Sequence, residues 1–233
     1  MKYFSAIIAI LSAYYPLSTR AEELKVVHPV VLELFTSQGC SSCPPADMLA
    51  SKYAEDPNIL VLSYHVHYWD YLGWKDPFSS TDNTNRQHEY AQYLGSKGVY
   101  TPQAIIQGTY DIVGSDARGL QNAFIKTANS GKHWITPTLS SRDGTLLINL
   151  PAQENIRANI VIVGYQKHSS NAVTRGENSG DKLSHRNSVT TILPLGEWHG
   201  EAINITKSTP QGDGLAVLIQ SSDKGEIIGA AWL

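Results

Sequence analysis

The sequence predicts an α/β domain followed by a C-terminal β-rich, sandwich-like domain. Three observations carry this. Between about Glu22 and Ser130, apolar runs of strand length alternate with stretches of helical spacing. From about His133 onward, short strand candidates recur at regular intervals with turn residues between them. The chain has only 2 cysteines, spaced as Cys40-Ser41-Ser42-Cys43 between a strand candidate and a helix candidate.

In chain order, Val26 to Phe35 is β-branched and apolar and reads as the first strand. Ala46 to Tyr53 reads as a helix, with Pro44 and Pro45 in its first turn, where a missing N–H costs nothing. Ile59 to Tyr64 is a second apolar run, preceded by the turn signal Asp56-Pro57-Asn58. Ser79 to Leu94 has helical spacing and ends at Gly95. Ala104 to Ile106 and Tyr110 to Val113 flank Gln107-Gly108-Thr109 as a hairpin. Ala117 to Ala128 is amphipathic, with Leu120, Ala123, Phe124 and Ala128 on one face. The later strand candidates are Thr138–Ser140, Leu146–Leu150, Asn159–Val163, Ser188–Ile192, Ala202–Ile205 and Leu215–Ile219. The expected division is a signal peptide over 1–21, an α/β domain over 22–132 and a β-rich domain over 133–233.

The 233 residues are 42% hydrophobic and 17% charged, which is enough for a sizeable core. The net charge of -3 excludes a basic footprint, so no nucleic-acid partner is expected. Met1-Lys2, the apolar stretch Ala6–Ala13 and the small residue Ala21 have the layout of a secretory signal, with cleavage after Ala21. A periplasmic or secreted location follows, with no stable membrane insertion after cleavage. Disulfides persist in such a compartment.

A dithiol at a helix N-terminus is suited to redox chemistry. The unpaired N–H groups and the partial positive charge there favour the thiolate, which is the nucleophile in exchange. Cys40, on the turn, is expected to be the more exposed sulfur and to attack; Cys43, entering the helix, would resolve the mixed disulfide. A purely structural bridge is poorly motivated, because closing two intervening residues hardly restricts the unfolded chain. A metal site is the other alternative: copper or zinc on Cys40 and Cys43 with His65 or His67, which share a face if the strand persists. A non-catalytic interaction protein is the third. No cofactor is expected. Expected partners are cysteine-containing proteins or a membrane redox partner.

Thr101-Pro102 precedes the hairpin, and a cis bond there would bring a backbone edge against the dithiol. Tyr68, Trp69, Tyr71, Trp74 and Phe78 are dense in aromatic area, as core or as a docking rim; Thr101 and Trp69 are the candidate substrate contacts. Arg86, Gln87 and Tyr90 read as a solvated helix face, and Arg175–Gly180 with Lys182–Asn187 as an exposed loop or as a segment that folds onto the dithiol domain and shapes the substrate site.

The dithiol after a strand, followed by Thr101-Pro102, a hairpin and a last helix, resembles the thioredoxin-like superfamily. Leu34-Phe35-Thr36-Ser37-Gln38-Gly39-Cys40-Ser41-Ser42-Cys43-Pro44-Pro45-Ala46-Asp47 resembles the opening motif of the exported DUF1223 family. Tyr64–Trp74, Val99–Gln103, Arg175–Asn178 and Leu195–Gly200 resemble it too. The resemblance implies a thioredoxin-like first domain, Cys40 as nucleophile, Cys43 as resolving thiol and Pro102 as the cis-proline facing them. Two departures stand out. Thioredoxins usually carry a buried acid where this chain has Leu34; Glu33 is the nearest acid, and strand alternation points it to the opposite face. His67 stands where an acidic residue is expected.

Overall fold

A computed structural model of the protein describes residues 28–233. The expected signal peptide lies outside the described residues. Among these, eleven strands and three α-helices form a mixed α/β fold around one large sheet.

Strand β1 (Val30–Thr36) is buried at every position, as a strand covered on both faces must be. Its alternation feeds two cores. Val30, Leu32 and Leu34 pack with Ala46 and Ala50 of α1 (Pro44–Tyr53) and with Leu120, Ala123 and Phe124 of α3 (Ala117–Ala128). Val31 and Phe35 pack on the other side with Tyr90 of α2 (Thr81–Leu94). Strand β2 (Ile59–His65) runs parallel to β1, from Val30↔Ile59 to Thr36↔His65. Strand β3 (Gln103–Ile106) is antiparallel to β1, and β4 (Tyr110–Val113) is antiparallel to β3. The helices start on side-chain caps where the sequence offers them: Ser80 Oγ accepts from the Asn83 amide at 3.0 Å, and Asp116 Oδ1 from the Gly119 amide at 3.0 Å.

The second half adds β5 (Thr138–Arg142), β6 (Thr145–Leu150), β7 (Ala158–Ala172), β8 (Lys182–Trp198), β9 (Ile203–Ser208), β10 (Gly214–Ser221) and β11 (Ile227–Trp232). The large sheet has the order β11-β10-β7-β8-β2-β1-β3-β4, and a smaller one the order β5-β6-β9. Apolar residues of β6 (Leu146, Ile148, Leu150) meet those of β7 and β10 (Ile160, Ile162, Val217, Ile219) in a third core. Strands from both sides of the expected 132/133 boundary share the large sheet through the parallel bridge Ser63↔Ser188. Ser63 Oγ donates to the Arg186 carbonyl at 2.9 Å, and Asn187 Nδ2 to that of Val61 at 2.8 Å.

Two expectations are corrected and one strand is added. β7 and β8 run far beyond their apolar centres as a polar ribbon, so Lys182–Asn187 is strand and not loop. β11 has no counterpart among the strand candidates, because Gly229-Ala230-Ala231 lacks the bulk that marks a strand. Arg86, Gln87 and Tyr90 are buried, not solvated. Arg86 Nε donates to Glu33 Oε1 at 2.6 Å, Tyr90 Oη donates to Glu33 Oε2, and Arg86 reaches Gln220 Oε1 at 3.3 Å. Glu33 is thus an ion-pair partner on the α2 face of β1, opposite the α1 face.

Candidate functional site

Cys40 and Cys43 form a disulfide where β1 gives way to α1, with Cys43 as the helix N-cap. The Ala46 and Asp47 amides both donate to the Cys43 carbonyl, at 2.9 and 3.1 Å, which anchors the first turn. The Thr101–Pro102 bond is cis. Pro102 lies close to this helix start: a Cβ added at Gly114 would sit 2.8 Å from Leu34 Cδ1, 3.1 Å from Ala46 Cβ and 3.2 Å from Pro102 Cβ. Only glycine fits so tight a convergence of the two segments. Trp69 is half-buried against the dithiol loop, where a Cβ on Gly39 would lie 3.1 Å from its own Cβ. Its Nε1 donates to Thr101 Oγ1 at 2.8 Å. Cys40, Cys43, Thr101, Pro102 and Trp69 therefore form one neighbourhood.

The expected exposure of Cys40 is corrected: it is 1% exposed and Cys43 0%. The cause is the turn between β7 and β8, which the sequence leaves open between an exposed loop and a segment folded onto the dithiol domain, and which folds onto the dithiol loop. Asn178 Nδ2 donates to the Gln38 and Cys40 carbonyls, both at 2.9 Å, and Glu177 Oε2 accepts from the Ser41 amide at 3.0 Å. That last bond holds the Glu177 carboxyl below its ordinary range. Ser41 and Ser42 stay exposed beside this cap.

Beneath the dithiol lies a polar cluster that the sequence does not announce. His65 is fully buried, and its Nδ1 donates to Asp76 Oδ2 at 2.7 Å. Burial alone would lower the His65 pKa; the Asp76 charge and hydrogen bond outweigh it and raise it. Burial would raise Asp76; His65 and the Gln38 and Phe78 amides outweigh it and lower it. His185 of β8 meets the His65 ring edge-on at 4.6 Å between centroids, with Nδ1 3.5 Å from Asp47 Oδ2 of α1. Gln38 ties the cluster to the dithiol loop. Its Oε1 accepts from Trp74 Nε1 at 3.1 Å, and its Nε2 reaches Asn171 Oδ1 and His185 Nε2, each at 3.2 Å. An indole N–H only donates, so the Gln38 amide has one orientation and its NH2 donates to His185 Nε2. A neutral His185 then carries its proton on Nδ1, toward Asp47.

His67 is parted from His65. The strand ends at His65, the chain turns into a 3-10 helix over His67–Leu72, and the exposed His67 bonds Thr84 Oγ1 at 2.7 Å. The expected pairing of the two histidines fails because it requires a strand that does not persist. Among the described residues, no group of three or more His, Cys, Asp or Glu side chains is arranged to hold a metal ion. Asp47 had one signal in the sequence, as a carboxylate four residues after Cys43 on a face otherwise lined by alanine; His185, distant in sequence, had none.

Comparison with known proteins agrees in extent with this architecture. No curated protein matches the chain. The X-ray crystal structure of protein AGR_C_4864 from Agrobacterium tumefaciens is 33% identical, superposes with a TM-score of 0.76, and is matched over 88% of this chain and 93% of that one. The family described as "Protein of unknown function (DUF1223)" matches residues 31–220, and the chain belongs to that family.

Proposed function

We propose that the protein is an exported thiol–disulfide oxidoreductase acting through Cys40 and Cys43, on a thioredoxin-like core to which the β-rich second half is attached. The observation that carries the reading is the Cys40–Cys43 bond at the N-terminus of α1. That bond closes too short a loop to serve stability, and a helix N-terminus lowers the cost of the thiolate it releases. The order β2-β1-β3-β4, with α1 and α3 on one face and α2 on the other, supports the thioredoxin-like part. The closeness of Pro102, Thr101 and Trp69 supports a substrate groove beside the dithiol.

In this mechanism a substrate thiolate attacks Cys40 Sγ, the Cys40–Cys43 bond breaks, and Cys43 leaves as a thiolate. A second substrate thiolate then attacks the substrate sulfur of the mixed disulfide and releases Cys40. The substrate dithiol loses two electrons to become a disulfide, and Cys40 and Cys43 gain them. The reverse sequence reduces a substrate disulfide. The natural partners are cysteine-containing proteins outside the cytoplasm or a membrane redox partner.

The test is trapping. Cys43→Ser is expected to accumulate a stoichiometric mixed disulfide at Cys40 with a reducible protein disulfide, and Cys40→Ser is not. Equal, slow reaction in both variants would remove the enzymatic reading.

A further inference from the structure

We propose that Glu177, at the tip of the β7–β8 ribbon, sets the redox poise of the dithiol: its carboxylate occupies an amide between the two cysteines and opposes a Cys40 thiolate. The inference rests on the dithiol reading above.

Its starting point is the supply of N–H donors at the start of α1. A thiolate at a helix N-terminus draws on unpaired N–H groups as well as on the dipole. Here most of those donors are missing or spent. Pro44 and Pro45 carry no N–H. The Ala46 and Asp47 amides both donate to the Cys43 carbonyl. The Cys40 amide donates to the Ser37 carbonyl and the Cys43 amide to the Cys40 carbonyl, each at 3.2 Å. The Ser41 amide, next to Cys40, donates to Glu177 Oε2 at 3.0 Å. An acid from the second half of the chain thus takes a donor beside Cys40 and leaves a negative charge in its place.

An exposed carboxylate matters to a neighbour only if it is held, because side-chain freedom and screening otherwise dissipate its effect. Glu177 is exposed but held. The adjoining Asn178 is 6% exposed and clamps the Gln38 and Cys40 carbonyls. The tip is closed at its base, where the Val173 amide donates to the Asp181 carbonyl and the Gly180 amide to the Val173 carbonyl, both at 2.9 Å. It is also seated against the aromatic loop: a Cβ on Gly176 would lie 3.6 Å from Trp74 Cβ. The Ser41 bond lowers the Glu177 pKa, so this carboxyl is charged wherever a thiol titrates. The other ionisable groups around the dithiol loop are Asp76, which accepts from the Gln38 amide at 2.8 Å, Asp47 with His185, and Arg175 and Asp181 on the tip itself. Among the acids of the described residues, Glu177 alone bonds an amide between the two cysteines.

The chemistry balances. When two glutathione thiols reduce the Cys40–Cys43 bond, they become one glutathione disulfide and pass two electrons and two protons to the cysteines. Above the Cys40 pKa that sulfur releases its proton to solvent and stands as a thiolate near the Glu177 carboxylate. Like charges disfavour this state. Glu177 therefore raises the Cys40 pKa and shifts the equilibrium toward the disulfide. Below that pKa the thiol is neutral and the bias disappears.

The test equilibrates full-length protein with mixtures of reduced and oxidised glutathione from about pH 5 to about pH 9, across the thiol titration. The dithiol fraction is read by mass after an acid quench, and the Cys40 pKa from the pH dependence of its alkylation in the reduced protein. Glu177→Gln keeps an oxygen for the Ser41 amide and removes the charge. It should lower the Cys40 pKa and, above that pKa, shift the equilibrium about two- to fivefold toward the dithiol, the range of an exposed charge pair. At the acid end the two proteins should converge. The difference should also shrink as salt rises from about 0.01 M to about 1 M. A merely structural Glu177 would move the melting temperature and leave the Cys40 pKa alone. Equal equilibrium constants and equal Cys40 pKa values at low salt overturn the assignment while leaving the dithiol reading intact. A wild-type disulfide that resists both glutathione and excess dithiothreitol overturns both.

Discussion

At the residue scale, the pair His65–Asp76 links charge to stability. The folded pKa of His65 is raised above its ordinary value of about 6.5. Its contribution is therefore fully present below that value and is lost as pH rises through the raised one. Asp76 is lowered, so its contribution is present above the ordinary carboxylate value and is lost as pH falls through the lowered one. The pair should support the fold most between these limits. Urea midpoints of the wild type and Asp76→Asn are expected to differ most at about pH 5–6, and the difference should shrink, without vanishing, as pH rises through the raised His65 value. A difference that stayed constant across this range would detach the pair from the pH dependence.

At the element scale, the turn between β7 and β8 is the device that closes the dithiol. The ribbon is long enough to carry residues 177 and 178 back over a loop far away in sequence. Two backbone carbonyls accept from one Asn178 side chain. Removing it leaves the Gln38 carbonyl unpaired, while that of Cys40 keeps the Cys43 amide at 3.2 Å, at a cost of about 1–3 kcal/mol in stability. Asn178→Ala should therefore melt lower than wild type, yet its disulfide should be reduced by dithiothreitol several-fold to about tenfold faster. A loss of about 1.4 kcal/mol in cap closure is a factor of ten in the open population. An unchanged reduction rate would mean that the cap does not govern access to Cys40.

At the scale of the whole molecule, the second half completes the core of the first. Val161, Val163, Tyr165, Val189, Ala216 and Leu218 share one apolar cluster with Val31, Phe35, Leu62, Tyr64 and Tyr90. Gln107, at the β3–β4 turn, receives the Val31 amide on Oε1 at 3.1 Å, and its Nε2 donates to the Ile227 carbonyl at 2.7 Å. A fragment ending at residue 132 would expose the free side of β2 and that apolar face together, an aggregation-prone combination. It is expected to be poorly soluble or to lack dispersed amide resonances, whereas residues 28–233 give a dispersed spectrum. A well-dispersed spectrum from the short fragment would show that the first half folds alone.

Local pattern determined much of this protein by itself. The apolar runs of β1, β2 and β10, the caps and periodicity of α2 and α3, and the Cys40–Cys43 spacing at a strand-to-helix junction all follow from near-neighbour residues. Such features depend on steric period and turn chemistry, which a short stretch of sequence carries. The tertiary structure decided what depends on distant partners. Glu33 and Arg86 are 53 residues apart in sequence and form a buried ion pair. Asn178 covers Cys40 from 138 residues away. His185 meets Asp47 only because β8 docks beside β2 and against α1. A polar residue reads as solvent-facing until the chain supplies its partner, so the cap and the acid–histidine cluster became visible only once the sheet had joined both halves.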